Sequence, residues 1–121
     1  MTYENNNIFA KILRGEVPCK EVYRDDHVLA FNDINPLAPT HILVIPTGKY
    51  VSIDDFGKNA SPAEIKAFYA AIDKIVEDKG LKTKGFRCIA NTGPNGGQEV
   101  PHFHMHILGG CPIGPMVSTA L

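Results

Sequence analysis

Apolar and polar positions follow two periods along this chain, and the change from one to the other marks its elements. Ile8, Phe9, Ile12 and Leu13 share one side of a helical period, which predicts a short amphipathic helix over 8–14. Asn7 suits its N-cap and Gly15 its stop. Val17-Pro18 ends the segment, and the polar residues before Asn7 read as a loose tail. Strands are predicted over 20–24 and 27–32, joined at Asp25-Asp26 with the spacing of a hairpin. Pro36 and Pro39 make 33–40 a turn or loop. HILVIP at 41–46 is a β-branched run and reads as a buried strand.

The second half opens on a helix start, Ser61-Pro62-Ala63-Glu64. Ser61 can cap, Pro62 suits the first turn and Glu64 completes a capping box. Ile65, Phe68, Ile72, Ile75 and Val76 recur at helical spacing until Gly80. A strand is predicted over 86–91, a glycine-rich loop (TGPNGGQ) over 92–98 and a last long strand over 100–108. Pro112 and Pro115 prevent a regular helix throughout 111–121. The pattern predicts a single α+β domain spanning 1–121, with a mainly antiparallel five-stranded sheet, one long helix and one short one.

Composition narrows the function classes. The 121 residues are 44% apolar and 21% charged, ordinary for one globular domain. Twelve basic residues nearly balance thirteen acidic ones, which argues against broad electrostatic binding to nucleic acid or to an anionic membrane. A small phosphate-bearing ligand needs only local donors and is not excluded. Cys19, Cys88 and Cys111 are odd in number and far apart, as in a reducing cytosol. No signal core and no stretch near the ~18 apolar residues of a membrane span is present, so a cytoplasmic protein is expected.

The chemistry concentrates at 101–110, PHFHMHILGG, which holds three of the five histidines. On a strand, His102, His104 and His106 would share one face, with alternate Cα atoms about 6.6 Å apart. Phe103, Met105 and Ile107 would face the other way and pack against the helix. Such a face allows three readings: a structural histidine strand, a zinc site, or catalysis at phosphorus with one imidazole as nucleophile and its neighbours as proton donors. The loop before it, Asn91 to Glu99, is glycine-rich and lets backbone N–H groups surround an anion. Zinc has no need of such a cradle. Loop and histidine face together favour phosphate chemistry.

At His102-Phe103-His104-Met105-His106-Ile107-Leu108 the chain resembles the histidine-triad family, whose motif alternates histidine with apolar residues. Gly109-Gly110 is similar to the Hint branch. The resemblance extends to NIFAKILRGEVP at 7–18, LAFNDINPLAPTHILVIP at 29–46 and NTGPNGGQEV at 91–100. It implies a hydrolase of purine nucleoside 5′-phosphoramidates (AMP- or GMP-amine type), a homodimer built around the 62–79 helix and the 86–91 strand, and no required metal or cofactor. His104 would be the transiently nucleotidylated nucleophile. His106 would contact the phosphate and assist the leaving group, and His102 and His41 would orient the set. Asp33 would hold the ribose hydroxyls. Ile8, Phe9, Ile12, Val17, Phe31 and Ile34 would form the slot for the base, and Asn91, Gly97, Gln98 and the Glu99 backbone would line the phosphate side.

Three positions depart from the family pattern: Cys111 where arginine is frequent, Thr47 where lysine is common, and Glu99 in place of serine in many animal members. They bear on leaving-group handling rather than on the triad. Two other functions remain open at this point. One is a nucleotide-binding regulatory module with incidental turnover. The other is a zinc protein that uses His102, His104 and His106.

Overall fold

The computed structural model describes residues 2–118. Helix α1 (Ile8–Leu13) starts where Asn7 accepts a hydrogen bond from the Ala10 N–H. The hairpin β1 (Glu21–Arg24) and β2 (Val28–Asn32) turns on the Asp25 carboxylate, which accepts from the N–H groups of His27 and Val28. Strand β3 (Thr40–Pro46) follows, then helix α2 (Ile53–Asn59) and the long helix α3 (Pro62–Asp78). Strand β4 (Phe86–Ile89), the single helical turn α4 (Gly93–Gly96) and strand β5 (Met105–Gly109) are the last elements among the described residues. Both halves of the capping box at Ser61 and Glu64 form.

All strand pairs are antiparallel, in the order β1-β2-β3-β5-β4. Side-chain alternation gives the sheet two faces. Val28, Ala30, Ile42, Val44, Met105 and Ile107 pack with Phe68, Ala71, Ile72 and Ile75 of α3. Leu29, Phe31, Leu43 and Ile45 face the other way and pack with Phe9 and Ile12 of α1. Phe103 stacks on Phe68 with ring centroids 5.0 Å apart, as the alternation of 103, 105 and 107 predicts.

Four expectations change. The last strand begins at Met105, not Val100, so His102 and His104 precede it. The ladder with β3 ends at Val44↔Met105, and 102–104 are held by other bonds: Phe103 N–H to the Tyr50 carbonyl, and two histidine rings to backbone carbonyls. Helix α2 was absent from the sequence pattern, although Ser52 caps it and Asp54 and Asp55 occupy its first turn. The glycine-rich loop contains α4, which Gly97 ends in the left-handed region at φ 73°, a conformation that L side chains rarely adopt. The N-terminal tail is pinned rather than loose, with the Asn7 side-chain amide donating to the Glu4 carbonyl at 2.7 Å. No helix among the described residues is long and apolar enough to cross a membrane. Residues 111–118 contain no helix, and the remaining residues of the 111–121 stretch, 119–121, lie outside the described residues.

Candidate active site

The α1 face of the sheet carries the histidines. Leu43 pairs with His106 and His41 with Leu108, so His41, Leu43, His106 and Leu108 share that face. His104 joins them from just outside β5, its ring edge-on to Phe9 with centroids 4.9 Å apart. The ring centroids of His104 and His106 are 5.2 Å apart, as are those of His41 and His106. His41, His102 and His104 are buried and His106 is half-buried.

The hydrogen bonds fix the proton positions. His104 Nδ1 lies 2.8 Å from the His102 carbonyl. A carbonyl only accepts, so Nδ1 carries the proton and Nε2 the lone pair. His102 Nε2 donates to the Pro46 carbonyl at 2.9 Å, which leaves its Nδ1 to accept from the Tyr3 hydroxyl at 2.6 Å. The Leu37 N–H donates to His41 Nδ1 at 3.0 Å. The His41 proton therefore sits on Nε2 and is donated to His106 Nδ1 at 2.9 Å. His106 in turn presents Nε2–H.

Burial lowers the proton affinity of three imidazoles. It pushes His102 and His106 down to about 4, with repulsion from neighbouring histidines adding to the effect. His104 is lowered mainly by burial as well, while its bond to the His102 carbonyl and the Asp33 and Glu99 carboxylates pull the other way. At neutral pH the three rings are uncharged, and His104 Nε2 carries an unprotonated lone pair.

The zinc arrangement of His102, His104 and His106 does not form, because both nitrogens of His102 are already engaged. Asp33, His41 and His106 bring one donor atom each within 4.8 Å of one another. Their chemistry opposes a metal. With Leu37 N–H on Nδ1, His41 would have to give up its Nε2 proton and set a second N–H against Leu37.

The other predicted residues fall in distinct places. Asp33 is half-buried, with one oxygen 3.4 Å from His41 Nε2 and the other accepting from the Asn35 N–H. Phe9, Ile12 and Phe31 are buried together, and Val17 packs against them. Ile8 and Ile34 are exposed, Ile34 at 91%. Asn91 is half-buried, Gly97 and Glu99 exposed. The Gln98 side chain is turned onto backbone, accepting from Gly93 N–H and donating to the Val51 and Val100 carbonyls. Three groups were not singled out in the sequence: the Tyr3 hydroxyl, the Leu37 N–H and the Pro46 carbonyl. None carries a local signal, because each works through a histidine brought close by folding.

The fold and this cluster define an antiparallel α+β protein with a set of mutually oriented imidazoles on the α1 face of its sheet. The HIT domain family model matches residues 14–113, and the chain belongs to that family. It is 50% identical to a HIT-like protein of Azospirillum brasilense over 97% of this chain and 96% of that one. It is 48% identical to the purine nucleoside phosphoramidase of Escherichia coli, with 92% of each chain covered. Among solved structures it is similar to a histidine triad protein from Clostridium difficile (TM-score 0.82, 44% identity, 94% of this chain and 98% of that one). A HIT family hydrolase from Legionella pneumophila also matches, with TM-score 0.82, 38% identity, and coverage of 90% of this chain and 100% of that one.

Proposed function

We propose that this HIT family hydrolase cleaves the P–N bond of purine nucleoside 5′-phosphoramidates through a nucleotidyl-histidine intermediate on His104. The observation that carries the reading is the His104 tautomer: Nδ1–H is committed to the His102 carbonyl, so Nε2 has its lone pair. The purine nucleoside phosphoramidase similar to this chain supports the substrate class.

Attack by Nε2 forms a new N–P bond and breaks the bond to the amine; the leaving nitrogen takes the extra proton that His106 has picked up with the bound phosphate, and His106 returns to its neutral form. The negative charge of a bound phosphate favours the proton on His106 more than the empty site does. Water then attacks phosphorus, breaks the bond to His104 and returns a proton to His106. The net products are the free amine and a nucleoside monophosphate. Positive charge on the nucleotidylated ring is stabilised by the His102 carbonyl and by the Asp33 and Glu99 carboxylates, which already act on this ring.

Asp33 would bind the ribose hydroxyls. Exposed Ile8 and Ile34 would meet the base above the packed Phe9, Ile12, Val17 and Phe31. Asn91, Gly97, Gln98 and the Glu99 backbone would line the phosphate side, Gln98 by shaping the loop through its backbone bonds. A homodimer would form across β4, an edge strand whose Phe86, together with Tyr69 of α3, is exposed. Sedimentation at micromolar concentration tests it, and a monomer there would count against it.

The test of the reaction is mass spectrometry after brief exposure to an adenosine phosphoramidate. A nucleotidyl adduct on the peptide containing His104 is expected. His104→Asn should show none, lose at least about 10³-fold in turnover and still bind AMP. AMP binding by the parent with no adduct and no amine release would instead indicate a regulatory nucleotide-binding module.

A further inference from the structure

We propose that Tyr3 is a positioning residue for this reaction: its hydroxyl holds the His102 ring, and His102 holds the nucleophilic ring of His104. The inference rests on the reading of His104 given above. Tyr3 and His102 are 99 positions apart in the chain, so the link exists only in the folded protein. The tail that bears Tyr3 is fixed at several points. Both the backbone N–H and the side-chain amide of Asn7 donate to the Glu4 carbonyl, and Arg14 donates to the Asn5 carbonyl at 2.7 Å. The Tyr3 ring lies edge-on to His102, with centroids 5.5 Å apart and planes at 67°.

His102 is fully buried. Its Nε2–H is committed to the Pro46 carbonyl, so its Nδ1 can only accept. The direction of the short contact follows: the phenol donates to the imidazole. Without that hydroxyl the buried lone pair has no partner, a costly state. A ring flip or a change of tautomer would relieve it, and either gives up the bond to Pro46. The carbonyl of this same residue accepts the His104 Nδ1 proton. Residues 102–104 lie outside the β5 ladder; the Phe103 ring is packed on Phe68, but among the described residues the backbone bond that ties the segment is the Phe103 N–H on the Tyr50 carbonyl. Loosening His102 therefore lets the His104 proton move to Nε2, where it blocks attack.

The experiment is Tyr3→Phe, which keeps the ring and removes the hydroxyl, with Thr2→Ala as a control on the same tail. Nitrogen-15 spectra of the imidazoles and steady-state kinetics on an adenosine phosphoramidate are read together. In the parent protein, His102 must show a protonated Nε2 and a hydrogen-bonded, unprotonated Nδ1; the opposite tautomer overturns the proposal without any variant. In Tyr3→Phe, the His102 Nδ1 signal should move toward that of an unbonded nitrogen, and a second His104 tautomer should appear. The kcat should fall by about three- to tenfold, the fold-change to which the net worth of one hydrogen bond converts, with KM nearly unchanged and Thr2→Ala like the parent. A merely structural role would lower thermal stability and leave the His104 tautomer alone. Unchanged kcat, or an unchanged His104 tautomer, overturns the proposal. If the parent cleaves no phosphoramidate, the functional reading fails, while the imidazole spectra still decide whether Tyr3 controls His104.

Discussion

His41 donates from Nε2 to Nδ1 of His106 across 2.9 Å, and the direction of that bond is set by a backbone group, the N–H of Leu37 on His41 Nδ1. The chain Leu37–His41–His106 leaves Nε2–H as the one donor that His106 can offer a substrate. It joins two ends of a path 65 residues apart in sequence, and β3–β5 pairing makes the meeting possible.

Removal of either member should therefore affect turnover differently. His106→Ala deletes the proposed proton donor and should lower kcat by about 10²-fold or more. His41→Ala leaves that group in place but frees its tautomer, so a smaller loss of about tenfold is expected. Steady-state kinetics on both variants checks the order. An equal or larger loss for His41→Ala would show that His41 does more than orient its partner.

Stability should fall on acidification. His102 and His106 bind protons less readily in the folded protein, near pH 4, than at their ordinary value of 6.5, and burial lowers His104 as well. Below 6.5 the unfolded chain thus takes up more protons than the folded one, so protonation favours unfolding. The contribution of these buried neutral rings is present above pH 6.5 and is lost between about 6.5 and 4. Urea midpoints at pH 7.5 and 5 should differ in that direction, and His102→Gln should reduce the dependence if it folds. A midpoint that rises on acidification would contradict the assignment.

Chelators should leave turnover intact. In the proposed mechanism His104 Nε2 must keep its lone pair, both nitrogens of His102 are engaged, and His41 presents a proton rather than a lone pair toward His106 and Asp33. Activity measured before and after exhaustive chelation decides the point. Loss restored by stoichiometric zinc would overturn the metal-free mechanism.

Glu99 should influence the choice of leaving group. Its side chain is exposed, yet its charge reaches His104. A cationic amine leaving from phosphorus would meet that field, and a neutral one would not. An exposed charge contact is worth only ~0.2–1 kcal/mol, so Glu99→Gln should cost a cationic phosphoramidate a few-fold in kcat/KM and spare a neutral one. The difference should fade as salt rises. Equal effects on both substrates would return Glu99 to the solvated background.

Much of the architecture was legible because local physics dictates it. The Asn7 and Ser61 caps, the Asp25-Asp26 turn and the 3.6-residue repeat from Ile65 to Val76 each depend on neighbours within a few positions. Helix α2 escaped because Gly57 and Asn59 dilute its apolar pattern, although Ser52 with Asp54 and Asp55 signalled its start. The final strand is shorter than its pattern predicts for a different reason. Alternation of histidine and apolar residues runs on through 102–104, but a strand needs a partner, and the β3 ladder ends opposite Met105.

For the site, the sequence by itself determined the chemical groups: imidazoles spaced to share a face, a carboxylate at Asp33 and a glycine-rich loop. Residue types and short spacings are written in the chain, and they are enough to point to phosphorus chemistry. Only the tertiary structure decided which nitrogen of each ring holds the proton. That choice belongs to the Leu37 N–H, the carbonyls of Pro46 and His102 and the Tyr3 hydroxyl. Tyr3 and Pro46 lie far in sequence from the His102 ring they hold, and Leu37, although close to His41, reaches the triad only through the His41–His106 bond between positions 65 apart; a hydrogen bond acts only at contact distance.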